Sequence, residues 1–231
     1  MAYWQMFRGN NRDKPDGYTF IENNTLSRKT VTLADSTRVV LNVNSRVGVH
    51  KDFDQQDRQV LVDGDAYFEI TPDQDKPFSI HTGMLLVRVL GTAFRIQAHH
   101  DSPGQSLELL SGQLRVFKDY PSQFAEPEQL QPGEMIMINK DIDLMEKETY
   151  DTAGLQSWLK GTLVFNDLSF TETLRQVEEW YGVDIETKGN ADVTNFSGTF
   201  EQAPLSQVLD SLAAKEKFRY RIKDAHVTLS F

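Results

Sequence analysis

The chain has 231 residues, 39% hydrophobic and 25% charged: long enough for one large domain or two modest ones, and a composition that excludes wholesale disorder and a membrane bundle. A formal charge of −10 with scattered Lys and Arg argues against a nucleic acid partner. The lack of any cysteine excludes thiol nucleophiles, zinc-thiolate sites, iron-sulfur clusters and disulfides.

No apolar run reaches the roughly 20 residues that span a bilayer. Tyr3, Trp4, Met6 and Phe7 nevertheless stand just before the polar stretch RGNNRDKPDG, the pattern with which a membrane helix leaves its aromatic belt and becomes a linker. A frayed amphipathic terminus fits these residues equally. Residues 1–24 are therefore expected to be the remnant of a juxtamembrane linker.

From about residue 30 to 145 the hydrophobic period is two. TVTL, RVVLNV, RQVLV, AYFEI, PFSIHT, MLLVRVL, TAFRIQA, SLELL, QLRVF and EMIMIN are of strand length, and their separators (ADST, DGD, TPDQDK, HDSPG, SG, QPG) carry turn chemistry. The expectation for residues 25–150 is an all-β domain, a roll or solenoid-like sandwich. Alternation puts Phe78, Ile80, Val87, Val89, Phe94 and Ile96 in its core and turns Ser79, His81, Arg88, Arg95 and Gln97 away. The stretch 119–133, with three prolines, reads as a long loop or hairpin excursion, and DIDLMEKETYDTAG as the end of the β region.

The period then becomes helical. Ser169 precedes Glu172 by three residues, a capping box, and Phe170, Leu174, Val177 and Tyr181 form one stripe before Gly182 stops the helix. A second helix has Pro204 in its first turn and Leu205, Val208, Leu209 and Leu212 on one face. Each helix lies between strand-like runs, and FTETL aligns weakly with LSQVL. Residues 155–231 are thus expected to form a small two-layer βαβ-βαβ module.

Asp63, Asp65 and Glu69 have the chemistry of a hard-cation site, but the stretch is too short for a calcium loop of the helix-loop-helix kind. They read instead as solvated acids around a Gly64 bend between two strands. Adjacent His99 and His100 would point to opposite strand faces, and His50, His81 and His226 lack ligand spacing, so neither a metal nor a cofactor is expected. No hydrolase or phosphate-loop motif is present; the chain reads as a non-enzyme. Gly91-Thr92 offers one reaction of its own, an acyl shift to the threonine hydroxyl followed by cleavage, against the plainer reading of a tight bend before a strand.

The order LADSTRVVLN, residues 58–70, PFSIHT, VRVLGTAFRIQA, LELLSGQLRV and LQPGEM resembles the FecR family, membrane-anchored anti-sigma regulators of bacterial outer-membrane transport. The helical part, with WLKGTLVFNDLSFTETLRQVEEWYGVDI, FSGTF and PLSQVLDSL, is similar to the carboxy-terminal domain of the Bacteroidetes branch, itself like the short amino-terminal module of secretins and TonB-dependent receptors.

The resemblance implies a periplasmic sensor region of a single-pass inner-membrane protein. Its implied partners are the signalling domain of a TonB-dependent outer-membrane receptor and, through a cytoplasmic segment, an extracytoplasmic-function sigma factor. It also implies possible self-cleavage at Gly91-Thr92. The last run, HVTLSF, reads as a free sheet edge that places Val227, Leu229 and Phe231 at a partner. A rival reading is a β-domain that binds carbohydrate or siderophore directly in an aromatic-lined pocket; Trp158, Trp180 and Tyr181 read as packing instead. One departure concerns the first hairpin: the family's usual Leu-Pro-Asp-Gly-Ser is here Leu33, Ala34, Asp35, Ser36 and Thr37, so either the turn differs or Ser36 carries strain.

Overall fold

A computed structural model describes residues 15–55, 57–122, 126–189 and 194–231. Tyr3, Trp4, Met6 and Phe7 lie outside them. The fold is mainly β with a small α/β module, and the chain divides into two compact units, Met1–Thr152 and Ala153–Phe231, each with its own hydrophobic core.

The first unit contains β1 (Tyr18–Asn23), β2 (Lys29–Thr32), β3 (Arg38–Leu41), β4 (Ser45–His50), β5 (Arg58–Glu69), β6 (Phe78–His81) and β7 (Leu85–Val89). It continues with β8 (Ala93–Ala98), β9 (Gly104–Ser111), β10 (Leu114–Lys118), β11 (Glu128–Leu130), β12 (Glu134–Asn139) and β13 (Leu144–Thr149). All thirteen belong to one curled sheet. Its spine is β5. The first half of β5 pairs with β4 (Arg46 opposite Asp63) and, in parallel, with β6 (Arg58 opposite Phe78); the second half pairs with β3 and β8. The strand thus hands the chain from the half-sheet β1-β4-β5-β6-β7-β10-β11 to the half-sheet β2-β3-β5-β8-β9-β12-β13.

The changeover falls at Asp63-Gly64-Asp65, and here the sequence expectation fails. These residues do not separate two strands; they lie inside one strand of twelve residues. Gly64 has φ 111°, and a Cβ there would lie 2.4 Å from Ser45 Oγ and 2.7 Å from its Cα. Only glycine fits that conformation and approach, so the ladder bends without breaking. Three further strands were unforeseen: β1 falls in the segment expected to be linker, β4 between the runs read as strands, and β13 in the segment expected to end the β region.

The alternating apolar side chains meet as predicted in one core. Phe68, from the second half of β5, stacks on Phe94 at 5.5 Å and meets Phe78 of the other half-sheet edge-on at 6.3 Å. Burying each such ring stabilises by about 1.5–3 kcal/mol. The β10–β11 connection is the expected hairpin excursion, paired from Leu114 opposite Leu130 to Val116 opposite Glu128.

The second unit runs α1 (Thr152–Lys160), β14 (Thr162–Leu168), α2 (Phe170–Tyr181), β15 (Asp184–Lys188), β16 (Phe196–Glu201), α3 (Leu205–Glu216), β17 (Arg219–Lys223) and β18 (His226–Ser230). Helix α2 has the full capping box at Ser169 and Glu172 and ends on Gly182 in the left-handed region at φ 63°, whose N–H donates to the Glu178 carbonyl. Its predicted stripe is buried. Pro204 is the residue just before α3 rather than part of its first turn. The strands form two small sheets, β14-β16 and β15-β18-β17.

Candidate functional site

Two of the three acids on β5 are buried rather than solvated. Asp63 and Asp65 are 7% and 3% exposed, and each is held by its own arginine. Arg46, directly opposite Asp63 on β4, donates to Asp63 Oδ2 through Nε at 3.1 Å and Nη2 at 3.1 Å. Asp63 Oδ1 accepts the His100 backbone N–H at 3.1 Å and lies 3.1 Å from His100 Nδ1. Asp65 takes the planar fork of Arg95, Nε at 2.8 Å and Nη2 at 2.7 Å, and accepts Asn42 Nδ2 at 2.9 Å. Glu69, on the exposed end of the strand, pairs with Arg38 at 2.9 Å. The lone pairs a cation would need are engaged by guanidinium groups. Bidentate charged hydrogen bonds of this kind are what allow carboxylates to be buried.

Burial extends along the same face. Tyr67, between Asp65 and Glu69, has its hydroxyl pKa pushed up to about 12 by burial and then by the Glu69 charge. Glu108, opposite Arg95 on β9, is raised by burial against the opposing pull of Arg95. Tyr150 is raised to about 12, by burial first and Glu108 second. A third such pair, also buried, sits at the start of β5. Arg58, 1% exposed, bonds Asp35 at 3.0 Å and the carbonyls of Lys76 and Thr71 at 2.7 Å each. Sequence reasoning missed Arg58; the only hint is a charge two residues before the apolar run Val60, Leu61 and Val62.

The remaining histidines are apart. His81 faces away from the core, as expected, yet it is buried, with Nδ1 3.0 Å from Asp119; His50 and His226 lie near Asp52 and Asp184. A polar cleft of about 390 Å³ is lined by Asn24, Asn44, Arg46, Asp63, His99 and His100, among others, with no phenylalanine, tyrosine or tryptophan.

Gly91 and Thr92 lead into β8. Thr92 is buried, its Oγ1 donates to the Gln113 carbonyl at 2.8 Å, and its own carbonyl accepts the Ile70 N–H. Gly91 packs so closely on Pro72 that a Cβ would lie 2.8 Å from it. The bend before a strand is therefore real, and the threonine hydroxyl points to a carbonyl partner.

The C-terminal run is not a free edge. Strand β18 is the middle of its sheet, parallel to β15 on one side and antiparallel to β17 on the other, and Val227 and Leu229 are 1% and 0% exposed. Their alternation marks a core strand, and what closes the second edge is the parallel pairing with β15, a non-local contact. Phe231 is partly exposed, but its N–H donates to Lys188 and its ring packs on Phe170 and Phe218. The sheet's edges are β15 and β17. Tyr181 lies in the second unit's core and Trp180 packs against that core; Trp158 is buried on α1.

The order of segments and the two-unit fold have counterparts. The family model FecR protein matches residues 20–115, and FecR, C-terminal matches 162–229, together more than half of the chain. Two crystal structures of a protein from Parabacteroides distasonis ATCC 8503, assigned as an anti-sigma factor, are similar with TM-score 0.69 and 27% identity. They cover 92% and 91% of this chain and 98% of their own. No curated protein matches the sequence. Among the described residues no helix is long and apolar enough to cross a membrane. With both family segments in order on one chain, and solved relatives aligned over nearly all of it, the protein belongs to the FecR family of anti-sigma factors, a regulatory rather than an enzymatic family.

Proposed function

We propose that this chain is the periplasmic sensor region of a membrane-anchored anti-sigma factor. It relays the state of a TonB-dependent outer-membrane transporter to an extracytoplasmic-function sigma factor by protein-protein binding. The observation that carries this reading is the pairing of the FecR and FecR C-terminal segments in one chain, similar over 92% of its length to a solved protein assigned as an anti-sigma factor.

The module supports docking. Strands β15 and β17 each leave one edge open, and Ile222 on β17 is exposed, so a partner strand has backbone groups and an apolar side chain to meet. The contact moves from the interior residues Val227 and Leu229 to these neighbouring edges, with Phe231 beside them. Titration calorimetry with the transporter's signalling domain tests the relay: saturable binding supports it. No binding, together with heat on adding a siderophore or sugar, overturns it in favour of direct ligand sensing, for which the polar cleft at Arg46 and His100 is the candidate.

Self-cleavage at Gly91-Thr92 belongs to the same reading. Thr92 Oγ1 would attack the Gly91 carbonyl carbon, the amide nitrogen would leave as an amine, and water would hydrolyse the resulting ester. The hydroxyl must first leave the Gln113 carbonyl, so cleavage is expected when the β8–β10 region is perturbed. Intact-mass measurement after partner binding checks this; one unbroken chain under every condition removes the step.

A further inference from the structure

The outer face of the half-sheet β6-β7-β10-β11 carries a row of directly opposed residues, Ser79, Arg88, Arg115 and Gln129. Its centre sets two arginines side by side. Cross-strand neighbours stand roughly 5 Å apart at Cα, and like charges there are destabilising. Both arginines are exposed, and both lean on the ring of Phe117, at 5.3 and 5.5 Å. Among the described residues neither has a carboxylate within ion-pair distance. In the same unit Arg38, Arg46, Arg58 and Arg95 each do, in a chain whose net charge is −10. A protein with an excess of acids has left two opposed cations without one.

The same arginines wall an open groove of about 740 Å³. Its other lining is mainly apolar or bare backbone, chiefly Pro77, Leu90, Leu114 and Gly91, with the amides Gln113 and Gln129 beside them. Leu90 is 49% exposed, a large apolar side chain facing water at the groove. We infer that this groove docks an acidic peptide segment of a protein partner. A glutamate or aspartate side chain bridges Arg88 and Arg115, and a neighbouring apolar residue lies against Leu90.

Charge complementarity selects this occupant over others. The bridging carboxylate gains charged hydrogen bonds from both forks and removes the repulsion between them. A free phosphate or sulfate would satisfy the arginines but leave the apolar wall wet. An anionic membrane calls for clusters of four to eight basic residues, and this concave site offers two on an acidic protein. The inference does not depend on the relay reading, because the groove is built by strands of the first unit and the docking edges β15 and β17 belong to the second.

The test is fluorescence anisotropy of the full 231-residue chain with a labelled, end-blocked peptide of alternating glutamate and leucine, against the same peptide with glutamine for glutamate. The acidic peptide is expected to bind at least ten-fold tighter than the glutamine peptide, and more weakly as salt is raised. The Arg88→Gln/Arg115→Gln variant is expected to lose at least ten-fold in affinity with an unchanged or higher melting temperature, since a repulsion has been removed. Arg115→Glu, which places an acid opposite Arg88, is expected to melt higher and to abolish binding. Leu90→Ser weakens binding without changing its salt dependence.

Absence of peptide binding, or binding untouched in the double glutamine variant, overturns the proposal. So does arginine-dependent binding of inorganic phosphate or of phosphatidylglycerol vesicles without binding of the peptide. Failure of the relay reading shows separately, as lack of binding to the transporter domain with acidic-peptide binding intact.

Discussion

The first unit buries ion pairs at its central strand; the ion pairs described in the second unit lie at its surface. Arg46, Arg58, Asp63 and Asp65 are all buried in the β unit, in pairs that join β4 to β5, β5 to the β2–β3 turn, and β5 to β8. The ion pairs of the α/β unit, Arg175–Glu179, Lys188–Glu186 and His226–Asp184, are exposed on both sides. Its buried charged residue among those described, Glu216, is held by the backbone and hydroxyl of Thr194. The contrast follows from connectivity. Helices close locally, so a capping box and an apolar stripe suffice; a curled sheet whose central strand changes partners midway has many wrong registers. Each buried pair tolerates only one of them, because slipping by a residue would leave both charges buried and alone.

The comparison is tested most strongly at Arg58. Arg58→Met keeps volume but leaves Asp35 buried without its cation and the Lys76 and Thr71 carbonyls without a donor. The expected loss is about 3–5 kcal/mol, read as a lowered midpoint in urea denaturation. Arg175→Ala, removing the exposed helical pair in the second unit, is expected to cost no more than about 0.5 kcal/mol. Equal losses at the two positions would remove the distinction between the units.

Gly64→Ala comes next. It forces a side chain into a left-handed backbone and into contact with Ser45, and the expected cost is about 2–3 kcal/mol. Coupling to Ser45→Gly separates the two causes. If the clash with the Ser45 side chain dominates, the second substitution recovers most of the loss; if the φ angle or the approach to the Ser45 Cα dominates, it recovers little.

How much of this was legible depended on whether the signal was local. The stripe of α2, its cap at Ser169 and its stop at Gly182 are properties of fourteen consecutive residues, and all three were read correctly. Period two gave the core at Phe78, Ile80, Phe94 and Ile96 for the same reason. The nine-residue helix α1 was overlooked although Leu155 and Trp158 at spacing three and Gly161 at φ 76° are its marks; it is short and carries Gly154. Non-local facts were not legible. Nothing near Asp65 in sequence announces Arg95 thirty residues on, so its acid looked solvated. Likewise β18 looked like an edge because β15, its second neighbour, lies some forty residues earlier.

A smaller effect probes the local logic of the second unit. Ser169→Ala deletes the acceptor for the Glu172 N–H and one half of the reciprocal cap. The expected destabilisation is about 1 kcal/mol, with loss of helical circular dichroism on mild warming. Ser169→Asp is expected to restore most of it, since an aspartate caps as well and complements the helix dipole.

The smallest effect is a gain, and it can be sought in both units. Ser36, at the β2–β3 turn, has φ 68°, and its N–H donates to the Leu33 carbonyl at 3.1 Å; the strain expected where the family usually has glycine is present. Lys217, capping α3, has φ 59° and donates to Ala213 at 2.9 Å. Glycine relieves the left-handed strain of about 1–2 kcal/mol but makes the unfolded chain more flexible, leaving a net gain of about 0.5–1 kcal/mol at each site. The side-chain contacts differ, however. Asp35 beside Ser36 accepts both the Thr37 N–H and the Thr37 hydroxyl and also receives Arg58, so the β turn is already held by its neighbours. Ser36→Gly should therefore raise the melting temperature without altering hydrogen exchange at β2 and β3. Lys217→Gly should also slow exchange in the last turn of α3, where the backbone cap on the Ala213 carbonyl closes the helix end. Slower exchange in both places would mean that the β turn, like the helix, depends on its local backbone rather than on the buried Arg58–Asp35 pair.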